Sequence, residues 1–565
     1  MTDVVIALSV VFITASVLLL VANHFGFSPI PFYIIAGLVT GTIVDQMDLL
    51  ELAQWGIAFL VFVFGIRIDL SDIQSVLRDG EVAAITQLAI VAPVAVGIGY
   101  LFGTLFGFGD PIRNAIYFGA AATFGSTIVG TGVLKGEIRD NLVHGRLASS
   151  IHFFDDLVAI GVVLILSAEV LTESTVVTSR IGYGVLFLVA GLLIYRHGFP
   201  LLVRAADGTE ELILMGSISI LIAFIAASEI VGISIVVGAF AAGIAVRSDG
   251  AESLGVRNGI ESIKDFFVAI FFVTVGALVQ LPSIETLAIA GTLILLVVVV
   301  NPIIHTLAFM YEGYDARTSF LASTSLNQVS EFSLIIAIQA FFVGTISNQL
   351  FDAIILAAAV TMLLTVGIRR YEEPIYEGLI ARIVGSRQSK YIDQHSHVDE
   401  TLSDHVVIVG YGRQGRQIIE HLEATDRPYV VIDNDPALWT GLEAECQNYV
   451  FGDAQNAYTL EKARITDANI LISTVAHTPV SSSILEHDAE TDLILRAASS
   501  REAESLFDSG ALFVSVPSVL ASDQLIDTVT AFINDEQTID ELQKDHLDTL
   551  RELERRGLAT RFERS

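Results

Sequence analysis

Residues 147–166 read LASSIHFFDDLVAIGVVLIL, an apolar run of membrane-spanning length with two adjacent aspartates, Asp155 and Asp156, at its middle. A carboxylate at bilayer depth costs about 2.5–3.5 kcal/mol on insertion scales, so such groups mark ion or proton pathways. Two side by side repel each other when both are ionised, which makes a place able to hold either a cation or protons. The pair sets two expectations together: a helical membrane protein, and one that moves charge.

The surrounding chain agrees with the first. Mean hydropathy is +0.65, too apolar for a soluble protein, and the apolar residues concentrate before about residue 368. Thirteen spans are expected, near 4–22, 30–44, 52–66, 82–105, 112–134, 147–168, 181–195, 211–228, 232–246, 265–281, 284–309, 318–343 and 350–368. The long ones reach the ~20 residues that cross a bilayer. The first follows Asp3 without a basic leader or a small-residue cleavage site and is read as a retained helix.

Lys and Arg orient these spans. With the N-terminus outside, the inner segments hold Arg67, Arg78, Lys135, Arg139, Arg146, Arg196, Arg204, Arg247, Arg257, Lys264, Arg317, Arg369 and Arg370, and the outer ones only Arg113 and Arg180. Basic residues gather in cytoplasmic loops, so an odd span number and a cytoplasmic C-terminal domain follow, in a multi-pass protein of the cell membrane. Net charge is −32, and lysine is confined to positions 135, 264, 390, 462 and 544. Such an acidic, Lys-poor surface suits a high-salt cytoplasm, where self-repulsion is screened, and it argues against nucleic acid as a partner. A single cysteine, Cys446, excludes an intramolecular disulfide and reads as a buried thiol.

An internal repeat is expected in the membrane half. Gly26-Phe27-Ser28-Pro29 leads, eleven residues on, to Ala36-Gly37, and Gly232-Ile233-Ser234-Ile235 leads over the same interval to Ala242-Gly243. Each is followed by a Phe-rich span that ends at Phe64-Gly65 or at Val275-Gly276. Copies offset by seven helices have inverted topology, a common transporter plan. Polar interruptions fall at matching places: Thr123-Phe124-Gly125-Ser126-Thr127 in helix 5, and Ser325-Leu326-Asn327-Gln328-Val329-Ser330-Glu331 in helix 12. Broken helices expose backbone groups that can coordinate ions, so Ser126, Thr127, Gln328 and Glu331 join the aspartates as candidates. Glu331 also reads as a partner for another buried polar group.

From Asp404 the pattern changes to that of a soluble α/β domain. His405-Val406-Val407-Ile408-Val409 is a buried strand, Gly410-Tyr411-Gly412-Arg413-Gln414-Gly415 a glycine-rich turn, Gln414 to Ala424 a helix, and Tyr429-Val430-Val431-Ile432 the next strand. Asp433 ends that strand about twenty residues after the first glycine, where a carboxylate accepts ribose hydroxyls and favours NAD(H) over its phosphorylated relative. The expected parts are a membrane domain (1–370), a charged linker (371–403), a nucleotide-binding domain (404–530) and a helical tail (531–565). In that tail Ile539, Leu542, Leu547, Leu550 and Leu553 stand at near-heptad spacing.

These motifs carry two resemblances. Thr40-Gly41, Leu60 to Gly65, Ser126-Thr127, His144 to Ala148, Phe154-Asp155-Asp156, Gly238 to Gly243 and Gln328 to Phe332 resemble, in order, the motifs of the monovalent cation:proton antiporter family. Kef-type potassium efflux systems and bacterial thirteen-helix sodium/proton exchangers belong to it. The resemblance implies two broken, crossing helices, exchange of Na⁺ or K⁺ for H⁺ by alternating access, and a homodimer. It also implies that Asp156 binds cation and proton in turn, with Asp155 beside it. The family's helix-11 lysine falls on Asn301, so the pair is expected to share a proton and to titrate as one unit. Residues 404–530, with Gly452-Asp453-Ala454 and Ala468 to Ile472, resemble the TrkA-N (RCK) domain that regulates potassium channels and transporters. That resemblance implies a regulatory NAD(H) or adenine nucleotide held by Gly410, Gly412, Arg413, Gly415, Asp433 and Asp453. A cation channel gated by such a domain is the alternative; it lacks a Thr-Val-Gly-Tyr-Gly type filter here and the span count is high. Nothing in the chain reads as an enzyme's redox relay.

Overall fold

The computed structural model describes residues 2–25, 27–44, 46–67, 79–139, 141–166, 174–207, 209–247, 253–280, 282–487 and 491–533, with 547, 548 and 551. Gly26, Arg78 and the tail residues Ile539, Leu542, Leu550 and Leu553 lie outside the described residues. The chain forms two compact units. One comprises Met1–Ile138, Gly145–Ala308 and Phe320–Glu373; the other comprises Arg139–His144, Phe309–Ser319 and Pro374–Ser565.

The helices of the first unit are α1 (Thr2–Phe25), α2 (Pro29–Thr40), α3 (Gln46–Arg67), α4 (Glu81–Leu105), α5 (Pro111–Thr123 and Thr127–Val133), α6 (Val143–Leu166) and α7 (Ser174–Leu193, continued by Phe199–Ala205). They continue with α8 (Glu210–Val231), α9 (Ile235–Val246), α10 (Ser253–Ala277), α11 (Ile284–Glu312), α12 (Ala316–Thr324 and Glu331–Phe342) and α13 (Asn348–Ile375). Among the described residues, six helices are long and apolar enough to cross a membrane. Others are short: α2 and α9 have 12 residues each, about 18 Å at 1.5 Å per residue, less than the ~30 Å hydrocarbon core.

Four π-helical turns occur among the described residues: Gln87–Val91 in α4, Ile194–Gly198 in α7, Leu296–Val300 in α11 and Tyr376–Ile380 directly after α13. The first three are each followed two residues later by a proline, Pro93, Pro200 or Pro302. Proline cannot donate to the carbonyl four residues back, and its ring collides with it. A widened turn relieves that collision and keeps the helix running.

Glycines set the closest crossings. A Cβ on Gly37 of α2 would lie 2.1 Å from the Val273 carbonyl oxygen and 2.7 Å from the Gly276 Cα of α10. A Cβ on Gly243 of α9 would lie 2.2 Å from the Phe62 carbonyl oxygen and 2.8 Å from the Gly65 Cα of α3. In the repeat expected from sequence, Gly37 corresponds to Gly243 and Gly276 to Gly65. The α2–α10 contact is thus the image of the α9–α3 contact, which is what an inverted repeat requires. Small residues let helix backbones approach where lipid gives no hydrophobic drive to associate.

The second unit is built on a six-stranded parallel sheet of order β3-β2-β1-β4-β5-β6. Its strands are β1 (His405–Val409), β2 (Tyr429–Asp433), β3 (Tyr449–Phe451), β4 (Ala468–Ser473), β5 (Asp492–Arg496) and β6 (Phe513–Ser515). The order reverses between β1 and β4, the switch point at which doubly wound sheets bind nucleotides. Residues 371–403, read as a linker, are helical as far as Gln394: α13 ends at Ile375 and α14 spans Ala381–Gln394. After β1 come α15 (Arg413–Ala424) and, after β2, α16 (Pro436–Glu445).

Gly37→Val and Gly243→Val should each lower the thermal midpoint of the purified protein, matching overpacking costs of about 1–3 kcal/mol. Gly97→Val, whose Cβ would meet nothing within 4 Å, should leave the midpoint in place.

Candidate cation and nucleotide sites

In the first unit, α5 stops at Thr123 and restarts at Thr127, and α12 stops at Thr324 and restarts at Glu331. The two extended stretches cross as an antiparallel bridge between Gly125 and Val329, with the Ser330 N–H donating to the Phe124 carbonyl over 3.1 Å. Interrupted backbone in a membrane must be satisfied by the protein itself. Ser126 caps the second half of α5 through the Val129 N–H, and Ser330 caps that of α12 through the Phe332 N–H. Gln328 ties the breaks together: its amide donates to the Ser126 carbonyl (3.0 Å) and the Ser325 carbonyl (2.8 Å), while Thr365 donates to its oxygen. Asn301 donates to the Ala122 carbonyl at 2.7 Å, beside the α5 break.

Adjacent residues on a helix diverge by about 100°, and the two aspartates of α6 meet different surroundings. Asp156 Oδ1 accepts from the Thr127 hydroxyl at 2.7 Å. Asp155 Oδ1 accepts from the Gln87 amide at 2.6 Å, and its Oδ2 from the Gly125 N–H at 2.8 Å. A cavity of about 170 Å³ reaches Asp156 but not Asp155; Thr127, Glu331, Arg67 and Lys264 also line it, among phenylalanine walls. Glu331 Oε1 accepts from the Ile128 N–H at 3.3 Å, and its buried Oε2 has no hydrogen-bond partner among the described residues. The cavity, which Ser149 also lines, thus joins two carboxylates, two hydroxyls and two basic side chains. The pair expected to share a proton makes no hydrogen bond to itself; each aspartate has its own donors.

In the second unit, Gly410 turns the chain out of β1 at φ +99°, a left-handed conformation that glycine adopts without strain. A Cβ on Gly415 would lie 2.0 Å from the Gly410 carbonyl oxygen, so this position lets α15 start against the strand. Arg413 is the first residue of α15 and Gly412 its N-cap. Asp433 Oδ2 accepts from the Tyr411 N–H at 2.7 Å and its Oδ1 from the Asp435 N–H at 2.8 Å. It therefore braces the turn. Asp453, just past β3, accepts from the Gln455 N–H and pairs with Arg317 at 3.1 Å. Arg317 belongs to the Phe309–Ser319 segment of this unit. Thr318 and Asp315 of that segment accept from Asn434, and Tyr391 donates to the Gly313 carbonyl at 2.8 Å. Burial, with the Asp453 carboxylate nearby, raises the Asp315 carboxyl above its ordinary range.

The family model described as the sodium/hydrogen exchanger, transmembrane, matches residues 10–369, and the model of the TrkA-N domain matches residues 406–517. The chain belongs to the sodium/hydrogen exchanger family. It is a cation/proton antiporter with a C-terminal TrkA-N domain, a transporter and not an enzyme. The exchanger is 24% identical over 538 residues to a putative K(+) efflux antiporter, KefB, of Alkalimonas amylolytica, which covers 89% of this chain and 77% of the relative. It is 25% identical over 495 residues to the putative cation/proton antiporter YbaL of Escherichia coli, covering 82% and 85%. Among solved structures, the sodium proton antiporter MjNhaP1 of Methanocaldococcus jannaschii matches with TM-score 0.48 and 15% identity, over 66% of this chain and 97% of that one.

Of the residues singled out in the exchanger's sequence, Asp156, Thr127 and Glu331 come together at the cavity, while Ser126, Gln328 and Asn301 hydrogen-bond the broken backbone. Sequence reasoning passed over Gln87, His152 and His305, all buried around the α5 break. The signal was there: each is a long polar side chain in a largely apolar span. None belongs to the motifs, and helix faces cannot be registered against each other without a fold.

Cys446 lies buried beside Tyr411 and Tyr429; burial, with the Glu423 and Glu445 carboxylates nearby, pushes its thiol up to about 11. The thiolate is the reactive form. Maleimide labelling at pH 7.5 should therefore run about two orders of magnitude slower than for a free cysteine, quicken as pH rises, and become fast in guanidinium.

Proposed function

We propose that this exchanger carries Na⁺ or K⁺ against H⁺ by alternating access, with Asp156 as the group that takes cation and proton in turn. The observation that carries the reading is that Asp156 is the aspartate of the pair that lines a cavity at the crossing of two broken helices. A cation there meets the Asp156 carboxylate, the Thr127 hydroxyl oxygen and the Glu331 carboxylate. A proton on Asp156 removes the charge that holds the cation, so one occupant excludes the other. Arg67 and Lys264 line the same cavity and oppose a second cation. The name of the Alkalimonas relative favours K⁺. The proposed setting is the cell membrane, N-terminus outside and TrkA-N domain in the cytoplasm, as the Lys and Arg distribution supports, in a homodimer.

The TrkA-N domain, in this reading, binds NAD(H) or an adenine nucleotide and biases the transport cycle. Gly410, Gly412 and Gly415 let a pyrophosphate approach the start of α15, with Arg413 at its first position, and Asp433 accepts ribose hydroxyls. Asp453 stands at the end of the neighbouring strand, held by Arg317. Residues 309–319 lie in sequence between Asn301 and the α12 break, so a ligand that shifts Asp453 has a covalent route toward the ion site. Ligand changes the balance of states only through such differential contacts.

In liposomes, Na⁺ and K⁺ pulses should release protons from the native exchanger and not from Asp156→Asn; cation flux without protons, or a fully active variant, would overturn the reading. For the regulatory part, NADH, NAD⁺ and ADP should raise the thermal midpoint of the full chain. Asp433→Ala should weaken the effective ligand at least about tenfold, the size of losing one or two hydrogen bonds with a charged acceptor. Equal shifts in native and variant protein would remove Asp433 from the site.

A further inference from the structure

Asp155 has a side-chain partner on α4. Gln87 is fully buried at the start of the α4 π turn. Its amide nitrogen donates to the Thr123 carbonyl at 2.7 Å and to Asp155 Oδ1 at 2.6 Å. Both targets are acceptors, which fixes the amide: Nε2 faces the break in α5 and Oε1 faces away. His305 Nε2 lies 3.0 Å from that Oε1. The amide oxygen can only accept, so His305 carries its hydrogen on Nε2, leaving Nδ1 without a partner among the described residues. The sequence of donors is then His305 to Gln87 to Asp155, with the Gly125 N–H closing the other carboxylate oxygen. Both oxygens of Asp155 thus receive N–H donors. A π turn at a buried polar residue is a recurrent mark of a functional position.

We propose that Gln87, oriented by His305 and the Thr123 carbonyl, is a positioning residue that holds the Asp155 side chain against the α5 break. Asp155 then pins the Gly125 turn of the helix crossing, while Asp156 alone exchanges occupants with the cavity. This rests on the reading of Asp156 given above. The other charged or titratable groups around Asp155 are Asp156, His152 and Glu331, with Arg67 near Asp156. None of the first three donates a hydrogen bond to Asp155; its donors are Gln87 and Gly125.

The test is cation-driven proton release in liposomes, for the native chain, Gln87→Ala, His305→Ala, His305→Gln and Asp156→Asn. Gln87→Ala should lower the maximal rate about tenfold, the size of one hydrogen bond to a charged group, with the cation KM changed less than about twofold. His305→Ala should give part of that loss, and His305→Gln, which keeps a donor, should largely restore the native rate. A native maximal rate in Gln87→Ala, or a loss in His305→Ala that His305→Gln does not restore, would reduce Gln87 to packing and overturn the proposal. A tenfold rise in KM would also overturn it, by making Asp155 a cation ligand. If Gln87→Ala does not fold, His305→Ala decides alone, since it leaves the amide in place. Normal exchange by Asp156→Asn would refute the underlying reading, whatever Gln87 does.

Discussion

The crossing of the two broken helices is the constraint on which the ion-handling half depends. Phe124 to Ser126 and Ser325 to Ser330 surrender helical hydrogen bonds where no water can replace them, and each lost bond must be made good by the protein. The structure does so with a single backbone bridge and a ring of side-chain amides and hydroxyls: Gln328, Asn301, Gln87, Ser126, Ser330 and Thr361. Most of the polarity near the aspartates serves this purpose. What remains facing the cavity is a short set, and that economy is what makes Asp156, Thr127 and Glu331 stand out.

The same constraint explains the prolines and glycines. Pro93 and Pro302 sit in the helices that deliver Gln87 and Asn301 to the α5 break, and the π turns beside them re-aim the polar residues without ending the helix. Gly37 with Gly276, and Gly65 with Gly243, bring the short helices α2 and α9 against long partners closely enough to hold them. The two crossings are images of one another, so a device that stabilises one half of the repeat stabilises the other.

Much of this was legible in the sequence. The aspartate pair, the interrupted segments in helices 5 and 12 and the glycine-rich turn before Arg413 each break a local rule, and rule-breaking residues in otherwise consistent elements mark function. The glycine spacing carried the inverted repeat because backbone contact leaves a compositional trace. The roles of Gln328 and Asn301 were not legible. An amide reads alike whether it binds an ion or caps a carbonyl, and only the partner at 2.7–3.0 Å distinguishes the two. The helical stretch from Ala381 to Gln394 was also missed, since its charge and its Gly385 look like a linker's until it forms a helix.

The aspartate pair shows that neighbours in sequence need not share surroundings. A helix turns about 100° per residue and gives each of the two carboxylates a separate wall. Asp155 meets Gly125 and Gln87, both donors; Asp156 meets Thr127 and a cavity. A hydroxyl can donate to a carboxylate or lend its oxygen to a cation, whereas a backbone N–H can only donate. The chemistry of the neighbours therefore separates the roles more firmly than the carboxylates could themselves. One aspartate has surroundings suited to holding still, the other surroundings suited to changing occupant.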